Sequence, residues 1–316
     1  MVTDQTVTSL IIKRVFSPAV KRGAFYCVAP LTVGTVYSCH PKNNNGQEMK
    51  LIFPMLLLLG LLTGCGDKTT PVDVPAAQAA ADTTTSDISV YQQAVMHPDR
   101  SDADRARDAG RKPAEVLEFF GIQPGMDVLD MFSGGGYYTE ILSRVVGREG
   151  SVVAHNNQAY AGFVGEETTN RYAGNRLANV EILMAENNEL ALQAETFDAT
   201  MMILAYHDIY YVAPDNGWPK IDGPRFVEEL YRGLRPGGLL AVVDHYAAAG
   251  SPHETGNTLH RIDPELVVAE LQEAGFVLED KSDVLRNMDD DHSIHMGAPE
   301  IRGNTDRFVF RFRKPR

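Results

Sequence analysis

The segment Val128-Leu129-Asp130-Met131-Phe132-Ser133-Gly134-Gly135-Gly136-Tyr137-Tyr138-Thr139 constrains the fold more than any other stretch of the chain. An apolar run ends in an acid, turns through glycines and restarts as a helix. Glycines in such a turn allow a ligand to approach the backbone closely, and the free amides of the new helix attract a polar or anionic group. A dinucleotide-binding loop shares these features. Here, however, the aspartate precedes the glycines, which fall at its fourth and sixth following positions, unlike the usual nicotinamide spacing.

Strands and helices alternate from this point at intervals suited to βαβ units. The pattern predicts strands at Asp127–Met131, Ser151–Ala154, Val180–Met184, Ala199–Ala205, Leu239–Asp244 and Phe276–Asp280. Helices are expected at Tyr138–Val146, Gly223–Gly233 and Pro264–Ala274, and Ser89–Phe120 reads as mostly helical, with Pro113 at a first turn. The run Leu239–Asp244 is continuously apolar, as a strand covered on both faces requires. Arg307–Arg313 alternates its side chains and reads as a last, antiparallel strand.

This order resembles the class I S-adenosylmethionine (SAM) methyltransferases. The glycine turn, an acid after strand three, the turn Arg235-Pro236-Gly237-Gly238 and the approach Gly275-Phe276 to strand six carry the likeness, over Ala114–Lys314. Arg107–Phe120 and Asp306–Phe312 look more narrowly like a group of predicted bacterial methyltransferases of undefined substrate. The resemblance implies an α/β, Rossmann-like seven-stranded sheet whose antiparallel last strand lies between the fifth and sixth. It also implies SAM as cofactor. Asp130, Gly134 and Gly136 would surround its methionine part, with Thr139 capping the helix or reaching toward the carboxylate. Phe132 stands where many members have their first glycine. Asn156 falls where the family commonly has an acid for the ribose hydroxyls, and Glu186, with Asn187 beside it, falls at the adenine edge.

Two further strand ends carry polar groups suited to chemistry. Strand four runs into Ala205-Tyr206-His207-Asp208 and strand five into Asp244-His245. Parallel neighbours direct these groups to one sheet edge, and His260-Arg261-Ile262-Asp263, just before a helix, is a candidate to close over it. Histidine has the pKa range for proton transfer near neutrality, and aspartate orients its second nitrogen. We expect His207 as base with Asp208 as its orienter, His245 as the second candidate, and His260 or Arg261 positioning an anionic substrate. Tyr206 and Tyr210, with Tyr211 and Trp218, read as a substrate wall or as lid packing. Asp208, Asp244 and His245 permit a divalent metal, as the resemblance to some catechol-type methyltransferases implies, but their linear spacing is not a compact metal signature. Asp289-Asp290-Asp291-His292 reads as a solvated loop, and no metal ligand is assigned.

The front of the chain reads differently. Residues 1–48 have no domain pattern and are expected to be a non-domain extension. Residues 49–64 combine Met49-Lys50 with an apolar run too short to span a bilayer, and Leu62-Thr63-Gly64-Cys65 resembles a bacterial lipobox. Cys65 would then be acylated and head the mature chain, with 65–88 a flexible tether and 89–316 the folded domain. All three cysteines lie at or before position 65, which excludes a disulfide scaffold or cysteine-bound metal beyond it. Residues 1–64 hold six basic and two acidic residues, so the remainder has 23 basic against 40 acidic residues and a formal charge of −17. That balance argues against nucleic acid as substrate and leaves membrane attachment to the lipid. The expected function is SAM-dependent methyl transfer to an oxygen or nitrogen of a small molecule or envelope component, from a lipid-anchored, periplasm-facing position. SAM is made in the cytoplasm, which sets that address against the activity. The alternative is a noncatalytic small-ligand-binding or structural envelope lipoprotein that keeps the fold.

Overall fold

The computed structural model describes residues 88–316. The extension, the signal with Cys65 and nearly all of the tether lie outside the described residues. In chain order the elements are α1 (Val90–Val95), α2 (Asp102–Arg111), α3 (Pro113–Phe120), β1 (Asp127–Met131), α4 (Tyr137–Val146), β2 (Ser151–Asn156), α5 (Gln158–Val164), α6 (Glu166–Tyr172) and β3 (Val180–Met184). There follow β4 (Phe197–Ile203), α7 (Gly223–Gly233), β5 (Leu234–His245), α8 (Glu254–Thr258), α9 (Pro264–Glu273), β6 (Val277–Ser282) and β7 (Arg307–Arg313).

Helix boundaries follow from local chemistry. Ser101 accepts from the Asp104 amide to start α2, and Asp263 accepts from the Glu265 amide to start α9. Pro113 opens α3, where a missing donor is harmless, and Gly121 ends it at a φ of 71°.

The seven strands form one sheet in the order β3-β2-β1-β4-β5-β7-β6. β7 runs antiparallel to both β5 and β6, as the resemblance implied, and the other pairings are parallel. Strand alternation divides the core between the two faces. On one face Val128, Ala199, Met201, Ala241, Val243 and Val309 meet Val116 and Leu117 of α3 and Ile141 and Leu142 of α4. On the other, Leu129, Met202, Leu240, Val242 and Phe308, Phe310 and Phe312 meet Phe226 and Leu230 of α7 and Val267 and Leu271 of α9. Each fully buried leucine here contributes about 1.5–3 kcal/mol. Parallel strands buried on both faces deliver all their carboxyl ends to one edge. Chain order reverses between β1 and β4, the place where open α/β sheets bind ligands.

The helices α5 and α6 were not anticipated. They lie between β2 and β3 and bear directly on the site.

Candidate functional site

The glycine turn leaves β1 at this switch point. Asp130 is buried at the strand's end, and Thr139 of α4 donates to its Oδ2 at 2.6 Å. Burial pushes the Asp130 carboxyl up from 3.8 to about 7, against the smaller opposing effect of the Thr139 bond. Gly134 and Gly136 have φ of 57° and 81°, a region open to glycine at little cost. Phe132 also sits there, at φ 54°, as do Leu204 at 60° and His260 at 50°. A bulky residue in this region is held by its surroundings at roughly 1–3 kcal/mol, and such positions cluster at functional sites. All three border the carboxyl edge of the sheet.

Asn156, at the end of β2, is committed to the turn. Its Oδ1 accepts from the Gly134 amide at 2.9 Å and its Nδ2 donates to the Gly134 carbonyl at 3.0 Å. It therefore clamps the glycine turn, a different task from the ribose contact implied by family position. Glu186 accepts from the Gln158 amide at 3.2 Å, and Asn187 is buried beside it. These residues hang from the ends of β2 and β3, along the same edge.

Helices α5 and α6 cover the turn. Tyr160 lies with its ring 6.0 Å from that of Phe132 and 5.6 Å from Trp218, and Phe132 also stacks on Trp218 at 5.8 Å and Phe226 at 5.6 Å. Arg171 donates to Asp104 at 2.7 Å, to Glu140 at 2.6 Å and to the Gly135 carbonyl. A Cβ on Gly136 would come within 2.5 Å of the Tyr172 hydroxyl, so the glycines admit this close approach. Among the described residues, buried polar atoms without a partner include Ser133 Oγ, His155 Nδ1, Asn157 Nδ2, Tyr172 Oη, Asn187 Oδ1 and Trp218 Nε1. Each orphan costs about 1–3 kcal/mol, and together they border one edge. The space directly over the turn is filled by α5 and α6, through Tyr160, Glu167, Arg171 and Tyr172.

One strand over, the edge carries a histidine cluster. The end of β4 turns sharply at Leu204 into a short 3-10 turn, Tyr206–Tyr210. His207 in this turn directs Nδ1 at Asp244 Oδ1, 2.7 Å away, and its own amide donates to Asp244 Oδ2 at 2.7 Å. The orienting carboxylate is thus Asp244 rather than Asp208. Asp208 Oδ1 instead stands 3.3 Å from His207 Nε2 and 3.4 Å from His260 Nδ1. Gly256 of α8 lies against the His207 carbonyl, where a Cβ would come within 2.7 Å. Burial lowers the pKa of His207, but Asp244 and Asp208 outweigh it and raise the group to about 10. His207 therefore keeps its proton at neutral pH, and on its own it is no base there.

The remaining expectations divide. His245 is buried, its Nδ1 paired with Thr305 Oγ1 at 2.5 Å, and burial with the nearby cations drives its pKa well down. Trp218 is buried in the core on one face of the sheet and Tyr211 packs against it. Tyr211 lies 5.6 Å from Trp218 and 4.9 Å from the His260 ring, joining the two parts of the edge. Tyr206 and Tyr210 point elsewhere, both hydroxyls donating to Glu270. Two grooves of about 750 and about 670 Å³ share Tyr210 and His253 on that side.

Arg261 does not face substrate. It is fully buried, forked onto Asp290 at 2.9 and 3.0 Å, with its other bonds on the Ile294 and Tyr246 carbonyls. Sequence adjacency to His260 could not reveal this burial. Asp290 serves as its counter-ion, and His292 bonds to Asp306 at 3.0 Å, which accounts for much of the acidic run. Arg261→Ala would strand the Asp290 carboxylate in the interior. The expected loss is about 3–5 kcal/mol in urea unfolding, with ligand affinity of the folded protein unchanged.

The profile of the protein-L-isoaspartate(D-aspartate) O-methyltransferase family matches residues 88–209, from before α1 into the His207 turn. The ubiquinone/menaquinone biosynthesis C-methyltransferase UbiE of Hydrogenovibrio crunogenus (strain DSM 25203 / XCL-2) is 28% identical over 130 residues, which are 41% of this chain and 46% of that protein. UbiE of Escherichia coli O1:K1 / APEC is 29% identical over 130 residues, with the same shares. The chain thus spans less than half the length of these relatives. Among solved structures, a SAM dependent methyltransferase from Aquifex aeolicus aligns at a TM-score of 0.47 and 24% identity, covering 66% of this chain and 95% of that one.

Proposed function

We propose, from the premise that this chain has the class I SAM-dependent methyltransferase fold with SAM as its cofactor, that it methylates an oxygen or nitrogen of a small or envelope-associated molecule. The observation that carries this reading is the adjacency of two assemblies on one sheet edge. Asp130 and Thr139 lie beneath the glycine turn at the end of β1, and the His207–Asp244 pair lies across the ends of β4 and β5. SAM supplies an electrophilic methyl group on a sulfonium. Asp130 offers the carboxylate that suits the amino group of a methionine moiety, and the orphaned polar atoms around β2 and β3 suit a nucleoside. His207, held by Asp244, presents a proton that orients the acceptor atom or stabilises its anion. His260 is partly exposed and meets an acceptor arriving from solvent, alongside Tyr211.

Calorimetric titration of the full-length chain with SAM and its demethylated product tests the cofactor half. Transfer of a labelled methyl group to a panel of hydroxyl and amine acceptors tests the other. Saturable SAM binding with transfer is the expected result. Binding without transfer to any acceptor would favour the noncatalytic small-ligand reading, which the fully engaged Asn156 also favours. The envelope address rests on Leu62-Thr63-Gly64-Cys65. Incorporation of labelled palmitate into the wild type and its loss in Cys65→Ala is the result expected of it.

A further inference from the structure

We infer that His207, Asp208 and His260 form a binding site for one divalent transition-metal ion, with zinc the best fit. The three ligand atoms, His207 Nε2, Asp208 Oδ1 and His260 Nδ1, face one another as a nearly equilateral triangle. Its edges are 3.2, 3.3 and 3.4 Å. Ligands about 2.0–2.1 Å from a tetrahedral zinc ion are separated by about 3.3–3.4 Å, so the triangle matches one face of that tetrahedron. Side chains arranged only to bond one another have no reason to close such a figure, because two ring nitrogens and one oxygen cannot all be linear partners.

The surroundings are those of a metal ligand set. Asp244 holds Nδ1 of His207 at 2.7 Å, which fixes the ring and turns Nε2 toward the triangle. An outer carboxylate of this kind is the usual support of a metal-bound imidazole. Asp244 also accepts from the backbone amides of His207 and His245, so its position is set by β5. His260 is fixed by its left-handed backbone and by Tyr211 against its ring. Two imidazoles with one carboxylate select a borderline transition ion over magnesium or calcium. With Nδ1 on Asp244 and Nε2 on the ion, the task of orienting the acceptor oxygen passes from His207 to the bound cation. The chain supplies three ligands, and the His260 side, with its side chain 21% exposed, leaves a fourth position open to solvent. That is the pattern of a catalytic rather than a structural site. The open position suits an ionisable oxygen of the acceptor, and in that respect the inference rests on the methyl-transfer reading.

The test is metal binding by the full-length chain after chelator treatment. Zinc and cobalt(II) are titrated by calorimetry, and cobalt is also followed through its tetrahedral ligand-field absorption. One equivalent per chain with that absorption is expected, and magnesium should not compete. His260→Asn removes an imidazole while keeping a residue that tolerates the left-handed backbone, so its fold, checked by circular dichroism, should survive. It should abolish the absorption. Asp244→Asn should weaken zinc binding about 10- to 100-fold while retaining the spectrum, as a positioning residue would. His97→Ala, outside the cluster, should bind as wild type. Folded wild-type protein without the cobalt spectrum, or equal zinc affinity in His260→Asn, overturns the site and leaves a proton-sharing cluster. SAM titration of the metal-free protein reports separately. Absent SAM binding with zinc retained would sink the methyl-transfer reading and leave the metal site standing.

Discussion

Asp130→Asn is expected to make the protein more stable at pH 8 and poorer at binding its cofactor. The stability effect follows from the Asp130 carboxyl, which burial raises from 3.8 to about 7. A carboxyl with a raised folded-state pKa favours folding while it remains neutral. Its contribution is complete below about pH 4 and disappears as the pH climbs through about 7. At pH 8 the buried charge disfavours the folded state by about 4 kcal/mol relative to a neutral group. Asparagine keeps the shape and an acceptor for Thr139 but never ionises. Urea unfolding at intervals from pH 4 to 8 should therefore show a gain that is absent at pH 4 and grows to about that size. The same change should weaken SAM binding roughly ten- to a hundredfold, the loss of a charged hydrogen-bond partner. A stability gain independent of pH would show that burial does not hold this carboxyl neutral. Unchanged SAM affinity would remove Asp130 from the cofactor site.

His207→Ala should reduce methyl transfer by about 10²- to 10⁴-fold, the usual contribution of a group that handles a proton in the reaction. SAM affinity should hold, because the cluster lies beyond the Tyr211–Trp218 pair from Asp130. The variant also leaves Asp244 buried with only backbone donors, so folding should weaken by about 3–5 kcal/mol. Pairing it with Asp244→Asn removes the stranded charge. The double variant should regain most of the stability and none of the turnover. If turnover returned with stability, His207 would matter only to folding.

The glycine turn and the sheet order are legible in the sequence because they rest on local chemistry. Asp130 ends an apolar run, the glycines follow at set positions, and β7 shows its alternation from Arg307 to Arg313. The partner of His207 is less legible. Asp208 is its neighbour in sequence, but parallel pairing sets Ile203 beside Val243, so the chain leaving β4 emerges next to Asp244. The helices α5 and α6 escape notice for another reason. α5 (QAYAGFV) is apolar around most of its short circumference and α6 (EETTNRY) is polar up to Tyr172, so neither shows one apolar stripe at a helical period. Their position comes from a long-range ion pair and from Tyr160 among rings contributed by distant segments.

That cover over the glycine turn turns a question of contacts into one of populations. A ligand that requires the turn exposed binds with its intrinsic affinity reduced by the fraction of molecules that are open. For such a ligand, the bonds from Arg171 to Asp104, Glu140 and the Gly135 carbonyl would hold the turn covered and so set that fraction. Sequence changes far from the ligand, in α2 or α6, can thus retune how much cofactor the protein needs without altering a single group that touches it.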